Sequence, residues 1–223
     1  GTGVLNQNGG LTILTGNNTY TGATNINTGT LEVDGSLAST PVNVTTTGTL
    51  TGAGTINKNA TLPGNGIINF GSTGKIVGTL GVTSGNWNGQ GTVNGLITSS
   101  SGTFNLNGNL TATTGLTISG GILAGTGTLN GSLNHTSITS ETFGGTITGA
   151  SATLTKNNAS STLTLTGVET YTGATNVTAG ILQVGNGVTG NLTGTSGVTV
   201  LGTLVLNLAD GATFSPNINL NST

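Results

Sequence analysis

The sequence predicts an all-β fold, a single right-handed parallel β-helix (β-solenoid) of about ten coils, and three observations lead there. Residues 11–33, LTILTGNNTYTGATNINTGTLEV, return as residues 163–184, LTLTGVETYTGATNVTAGILQV, so that Tyr20 matches Tyr171, Gly16 matches Gly167, Gly29 matches Gly180 and Val33 matches Val184. Self-similarity over such a length marks repeat architecture. Apolar and polar residues alternate with period two in short runs such as LEV at 31–33, VNV at 42–44, FNL at 104–106, VTV at 198–200 and LVLNL at 204–208. That is the pattern of strands with one face buried. Between the runs lie turn dipeptides, among them Asn8-Gly9, Asn65-Gly66, Asn94-Gly95, Asn130-Gly131 and Asn186-Gly187. No apolar stripe of period 3.6 occurs, so helix content is expected to be near zero.

Frequent strands and turns fit either a globular sandwich or a β-helix, and glycine favours the helix. Its coils turn sharply at every corner, where Gly and Asn supply left-handed backbone. At roughly 20 residues per coil and about 4.8 Å between stacked strands, the rod is on the order of 50 Å long. Along the chain, residues 1–34 form a partial repeat unit, 35–142 degenerate coils and 143–187 a full repeat unit. Residues 188–223 continue into a truncated next repeat, and the whole of 1–223 is one continuous solenoid.

Composition narrows the function. Thr, Asn and Gly supply 119 of the 223 residues, while Leu, Ile, Val and Phe supply 56, enough for a thin continuous core. The net charge of -2, from three Lys, no Arg and five acids, is too small for a disordered polyelectrolyte. The same lack of a basic footprint argues against nucleic-acid binding. No apolar run reaches the roughly 18 residues of a membrane span. With no Cys there is no disulfide framework. A start at Gly1 without any Met predicts a unit processed or cut from a longer chain.

Residues 143–187, FGGTITGASATLTKNNASSTLTLTGVETYTGATNVTAGILQVGNG, carry a recognisable pattern. A Phe-x-Gly-x-Ile-x-Gly opening (Phe143, Gly145, Ile147, Gly149) leads to a Leu-Thr-Lys step (Leu154, Lys156). Leu163, Gly167, Thr170, Tyr171, Gly173 and Thr175 follow, then a closing Gly180, Leu182 and Val184. The stretch resembles the autotransporter-associated β-strand repeat, also called the passenger-associated transport repeat. The N-terminal copy, with Gly16, Tyr20, Gly22, Gly29, Leu31 and Val33, matches it except that Gln7 stands where Lys156 does. The resemblance implies a passenger β-helix of a type V secreted or outer-membrane-anchored protein, extracellular or at the cell surface. There the repeat serves stacking and export rather than catalysis.

Sites of chemistry are scarce. The one His, His135, has Ser137 and Glu141 nearby in sequence, but no Gly-x-Ser-x-Gly elbow exists. It reads as a polar surface residue. Glu32 and Asp34 share a strand face, yet Asp34-Gly35 reads first as a turn, and calcium needs six or more oxygens. No cofactor, metal or catalytic residue is expected, and the chain reads as a non-enzyme. Trp87, in GNWNG, is the one possible surface contact, since a Trp flanked by two Asn could stack on a sugar, while an aromatic that fills a corner of the core or covers a neighbouring coil is the commoner reading. The leading function is thus a structural and adhesive rod, stalk or fibre. A carbohydrate-binding or carbohydrate-active β-helix is the alternative, with glycans or a host or neighbouring cell surface as partner.

The ends suggest one more partner, a copy of the same unit stacked head-to-tail. Residues 212–218, ATFSPNI, resemble 141–147, ETFGGTI, and residues 1–16 resemble the segment before Tyr171. Uncapped solenoid ends expose strand edges. Phe214 and Ile218 at one end and Leu5 and Leu11 at the other are the expected contacts.

Overall fold

A short strand whose side chains alternate in and out can bury only one face. This chain, with its short runs and frequent corners, solves the problem by laying each coil on the one before. The computed structural model describes residues 1–38 and 41–220. Among them are 29 strands and no helix, and every inter-strand pairing recorded is parallel, as in the ladder Val42↔Ala60↔Leu80↔Ile97. Successive coils form a prism with three sides. The first and second sides belong to one 19-stranded sheet, and the third side is an 8-stranded sheet continued by a 2-stranded one.

The first side runs through Leu5, Thr24, Val42, Ala60, Leu80, Ile97, Leu116, Leu133, Leu154, Thr175, Val198 and Ile218, each the register partner of the next. These are 11 coil-to-coil steps, a parallel β-solenoid of the predicted class. Steps up to Leu133 take 17–20 residues. The next three take 21, 21 and 23. In the repeat units the first and second sides merge into single long strands, Leu5–Leu14, Thr24–Val33, Leu154–Leu165 and Thr175–Val184.

Inward side chains stack in columns. On the second side Leu31, Leu50, Ile68, Trp87, Phe104 and Leu123 lie over one another. On the third side Leu37, Ile56, Ile76 and Val93 do the same. All of these are at most 1% exposed. Each fully buried Leu, Ile or Val contributes about 1.5–3 kcal/mol relative to an exposed one, so the core is thin but unbroken. Outward positions hold Thr and Asn, and their side chains form hydrogen-bonded ladders. Asn25 Nδ2 donates to Asn6 Oδ1 at 2.9 Å, Asn43 Nδ2 to Asn25 Oδ1 at 2.9 Å, and Thr61 Oγ1 to Asn43 Oδ1 at 3.0 Å. Asn27 Nδ2 reaches Asn8 Oδ1 at 2.8 Å in a parallel ladder.

The corners expected of Gly29 and Gly180 are there. Both residues have left-handed backbone, with φ of 71° and 73°. A Cβ on Gly180 would lie 1.9 Å from the carbonyl oxygen of Asn158 in the preceding coil, and one on Gly29 would lie 2.5 Å from that of Gly10. Only glycine fits both the torsion and the close approach.

Gly180→Val should therefore lower the thermal midpoint strongly, by the equivalent of about 2–4 kcal/mol. Gly16→Ala, at a repeat glycine with open space around it, should stay within about 0.5 kcal/mol. Equal melting of the two variants would remove the corner assignment.

Candidate functional site

Inward slots were expected to be apolar, and three on adjacent rungs are not. The parity of Leu133, Leu154 and Phe143, all buried, sends His135, Lys156 and Glu141 inward as well. His135 and Lys156 are register partners on the first side. Glu141 takes the second-side slot beneath Leu163. His135 and Lys156 are fully buried and Glu141 nearly so.

His135 and Glu141 form a bonded pair, and Lys156 caps the corner of the next coil. His135 Nε2 lies 2.6 Å from Glu141 Oε1, and Glu141 Oε2 accepts the Leu123 N–H at 2.8 Å. Lys156 Nζ donates to the Asn158 carbonyl at 2.7 Å, and Ser161 Oγ donates to the Ser137 carbonyl at 2.6 Å. Burial lowers the Lys156 pKa, while the Glu141 carboxylate pulls it the other way. Gln7, at the Lys156 position of the N-terminal unit, makes the equivalent corner contact: its Nε2 donates to the carbonyls of Gly9 and Gly10 at 2.7 and 3.1 Å. The lysine of the repeat is thus a corner cap that the amide can replace.

The placement of His135 corrects the sequence expectation. It is a core residue, not a surface one, because residue parity outranks the average preference of His for the surface. Ser137 donates to the Gly121 carbonyl at 3.4 Å rather than engaging the imidazole, and it too is buried. No substrate can reach this histidine.

Trp87 takes the core place that was the commoner reading of an aromatic there, and not the surface one. It is 0% exposed and stacked on Phe104 with ring centroids 5.6 Å apart and planes 10° from parallel. The flanking Asn86 and Asn88 point outward because they flank an inward position on a strand, so the Asn-Trp-Asn motif is strand alternation and not a sugar platform.

A second buried acid was not anticipated. Glu169 is on the third side in the slot under Leu192, where the N-terminal unit has Asn18. Its Oε2 accepts the Ile147 N–H, while Oε1 has no partner among the described residues. Burial pushes its pKa from 4.5 up to about 8, against the pull of the Ile147 hydrogen bond. Two residues on, Tyr171 is buried with its hydroxyl 2.5 Å from Thr175 Oγ1; Tyr20 repeats the contact with Thr24 at 2.6 Å while half-buried.

The remaining candidates are positioned as follows. Leu31, Val33, Phe143, Leu182 and Val184 are core residues. Glu32 faces outward, and Asp34 turns at the strand end, its Oδ1 accepting the Ala53 N–H at 3.2 Å. An open groove of about 460 Å³ runs beside them, lined by Asn69 and Gln90 among others. No group of three or more potential metal ligands occurs among the described residues. At the ends, Leu11, Ile218 and Leu220 are exposed, while Leu5 and Phe214 are partly buried against the core. Phe214 follows Thr213, whose carbonyl accepts Asn191 Nδ2 at 3.1 Å, and so belongs to the third side. Phe143 stands on the second side, so the sequence likeness of 212–218 to 141–147 does not carry over to equivalent places in the coil.

The comparisons fit this geometry. The passenger-associated-transport-repeat profile matches residues 7–33 and 154–184, the segments that form the long merged strands and their glycine corners. The chain carries passenger-associated-transport repeats. It is also 46% identical over 81 residues to the adhesin BmaC autotransporter of Brucella suis biovar 1 (strain 1330), a stretch covering 35% of this chain and 2% of that protein. No solved structure matches the chain. Repeat, relative and fold together describe an autotransporter-passenger β-helix. The passenger repeat is hence a structural motif, built of corner glycines, a corner-capping Lys or Gln and a Tyr–Thr hydroxyl contact.

Two measurements test these placements. The single Trp should fluoresce at short wavelength and resist acrylamide quenching in the folded chain. Trp87→Ala should destabilise by about 3–5 kcal/mol, whereas a free quenching profile would return Trp87 to the surface. For Glu169, a folded pKa of about 8 above an unfolded 4.5 means that the native state holds the extra proton. Its stabilising contribution is full below about pH 4.5 and is lost as pH rises through about 8, a change on the order of a few kcal/mol. Denaturant melts across this window should show that loss in the parent and not in Glu169→Gln.

Proposed function

We propose that this chain is a non-catalytic, adhesive rod segment of a secreted bacterial passenger, displayed at the cell surface or outside the cell. The observation that carries the reading is the division of the side chains. The reactive groups His135, Lys156, Glu141 and Glu169 are inside, and the outside is mostly uncharged Thr and Asn, with Glu32, Asp34, Lys58, Lys75 and Asp210 scattered among them. Such a surface is built for many weak polar contacts spread along a rod, and not for turnover in a pocket. The adhesin relative supports the assignment, though it is matched over only 2% of its length. Burial of Trp87 removes the aromatic platform on which the carbohydrate-active alternative rested.

The reading includes a partner for the end strands, further copies stacked head-to-tail. The Leu5–Leu14 edge and the Ile218–Leu220 edge each pair on one side only among the described residues, and exposed Val4, Leu11, Leu206 and Leu220 lie beside them.

Beads coated with the chain should bind host-cell monolayers several-fold above albumin-coated beads. Because surface charge is scarce, binding should survive 0.5 M NaCl, where the screening length is only a few ångström. Binding at the albumin level would remove the adhesive role and leave the rod; glycan hydrolysis above background would remove the non-catalytic one.

A further inference from the structure

A solenoid whose corners are all of one length has flat sides and convex edges, with no recess for a small ligand. Here the corner from the third side to the first changes length over three successive coils. It holds three residues (113–115) between Ala112 and Leu116, two (131–132) between Asn130 and Leu133, and five (149–153) between Thr148 and Leu154. The short corner is therefore set back between two longer ones, and an open notch of about 260 Å³ lies against it, lined by small residues such as Gly131, Ser132 and Ala150.

The polar groups of the notch are uncharged and unspent. On the first side an outward amide bonds to the coil below, as Asn43 does to Asn25. Asn130 stands in register between Thr111 and Thr148 on the third side, yet its side chain bonds to neither. The side chains of Thr111, Thr113 and Ser151, which also line the notch, likewise have no hydrogen-bond partner among the described residues. Ser151 adds a separate sign. It sits in a turn closed by the Ala152 N–H on the Gly149 carbonyl at 3.2 Å, with a φ of 66°. Glycine adopts such backbone freely and serine only under strain. Apart from Thr46, every other described residue of positive φ is glycine. The strained position thus keeps a hydroxyl on the notch.

We infer that this notch is a binding subsite for one neutral sugar ring of a glycan. Hydroxyls and an amide, with no charged group in the lining, match a ligand that offers many donors and acceptors and no charge. The volume is below the about 300–1,000 Å³ of pockets for drug-sized ligands, so it takes a single ring. Because Trp87 is in the core, no aromatic platform backs the sugar, and one contact is weak, with a Kd of about 1 mM or above. The use of the subsite rests on the adhesive reading, in which passengers crowded on one surface add weak contacts together.

The test follows the amide resonances of the isotopically labelled chain as the methyl glycosides of glucose, galactose, mannose and N-acetylglucosamine are each titrated through the millimolar range. At least one should move the amides of Gly131 and Ser132 saturably. Ala150→Leu, which fills the notch from an exposed position in its lining, should abolish these shifts. Ser151→Gly removes the hydroxyl and the strain together, so it should raise the thermal midpoint while weakening binding several-fold, a loss that a purely structural serine would not show. No saturable shift with any of the four glycosides overturns the subsite, as do shifts that persist unchanged in both variants. Direct binding is read apart from bead adhesion: shifts without bead binding leave the subsite and remove the adhesive role, and bead binding without shifts does the reverse.

Discussion

Everything in this molecule rests on the parallel hydrogen bonding of each coil to the next. A coil of about 20 residues has too little apolar surface to stay folded alone, and it gains a core only by continuing the columns of its neighbour. The spacing of that contact is fixed by the backbone at about 4.8 Å, and the spacing then selects the residues. Corner carbonyls of one coil come so close to the next that Gly29 and Gly180 have no room for a side chain. Outward amides come into hydrogen-bonding range, so Asn6, Asn25 and Asn43 form a ladder. Aromatic rings in one column are brought face to face, as in Trp87 over Phe104.

Most of the fold could be read from the residues because its two signals, period-two alternation and glycine corners, are local. The self-match of residues 11–33 to 163–184 located both repeat units before any geometry was known. Parity was also sufficient to place His135, Lys156 and Glu141 indoors: Leu133, Leu154 and Phe143 lie two residues away on the same face. Charge and polarity argued the other way, and for three single residues the strand alternation prevailed. The asparagines beside Trp87 kept a surface reading open, although they are the outward half of its strand. What no local pattern carried was the partner of each buried group. Contacts such as His135 to Glu141, or Glu169 to the Ile147 N–H, depend on how corners of 17 to 23 residue coils are spaced.

The passenger repeat takes on a physical meaning in this light. Its fixed positions are those where one coil must meet another without error: a corner glycine, a Lys or Gln that caps the corner carbonyls, and a Tyr hydroxyl on a Thr. Between the repeat units, the degenerate coils keep their alternation and tight corner glycines of their own, such as Gly102, where a Cβ would lie 1.8 Å from the Ser84 carbonyl oxygen. A surface protein built this way can vary its outward residues freely while the inward columns preserve the rod.

The scarcity of lysine has a consequence for survival outside a cell. A protease of trypsin type cuts after Lys or Arg, and this chain offers it three bonds in 223 residues, after Lys58, Lys75 and Lys156. Lys156 is sealed in the core and Lys75 is half-buried in a third-side strand, so a folded rod leaves one exposed lysine for such an enzyme, at Lys58. The same poverty of charge that leaves the surface without a strong electrostatic partner also leaves few places for an enzyme that cuts only after Lys or Arg.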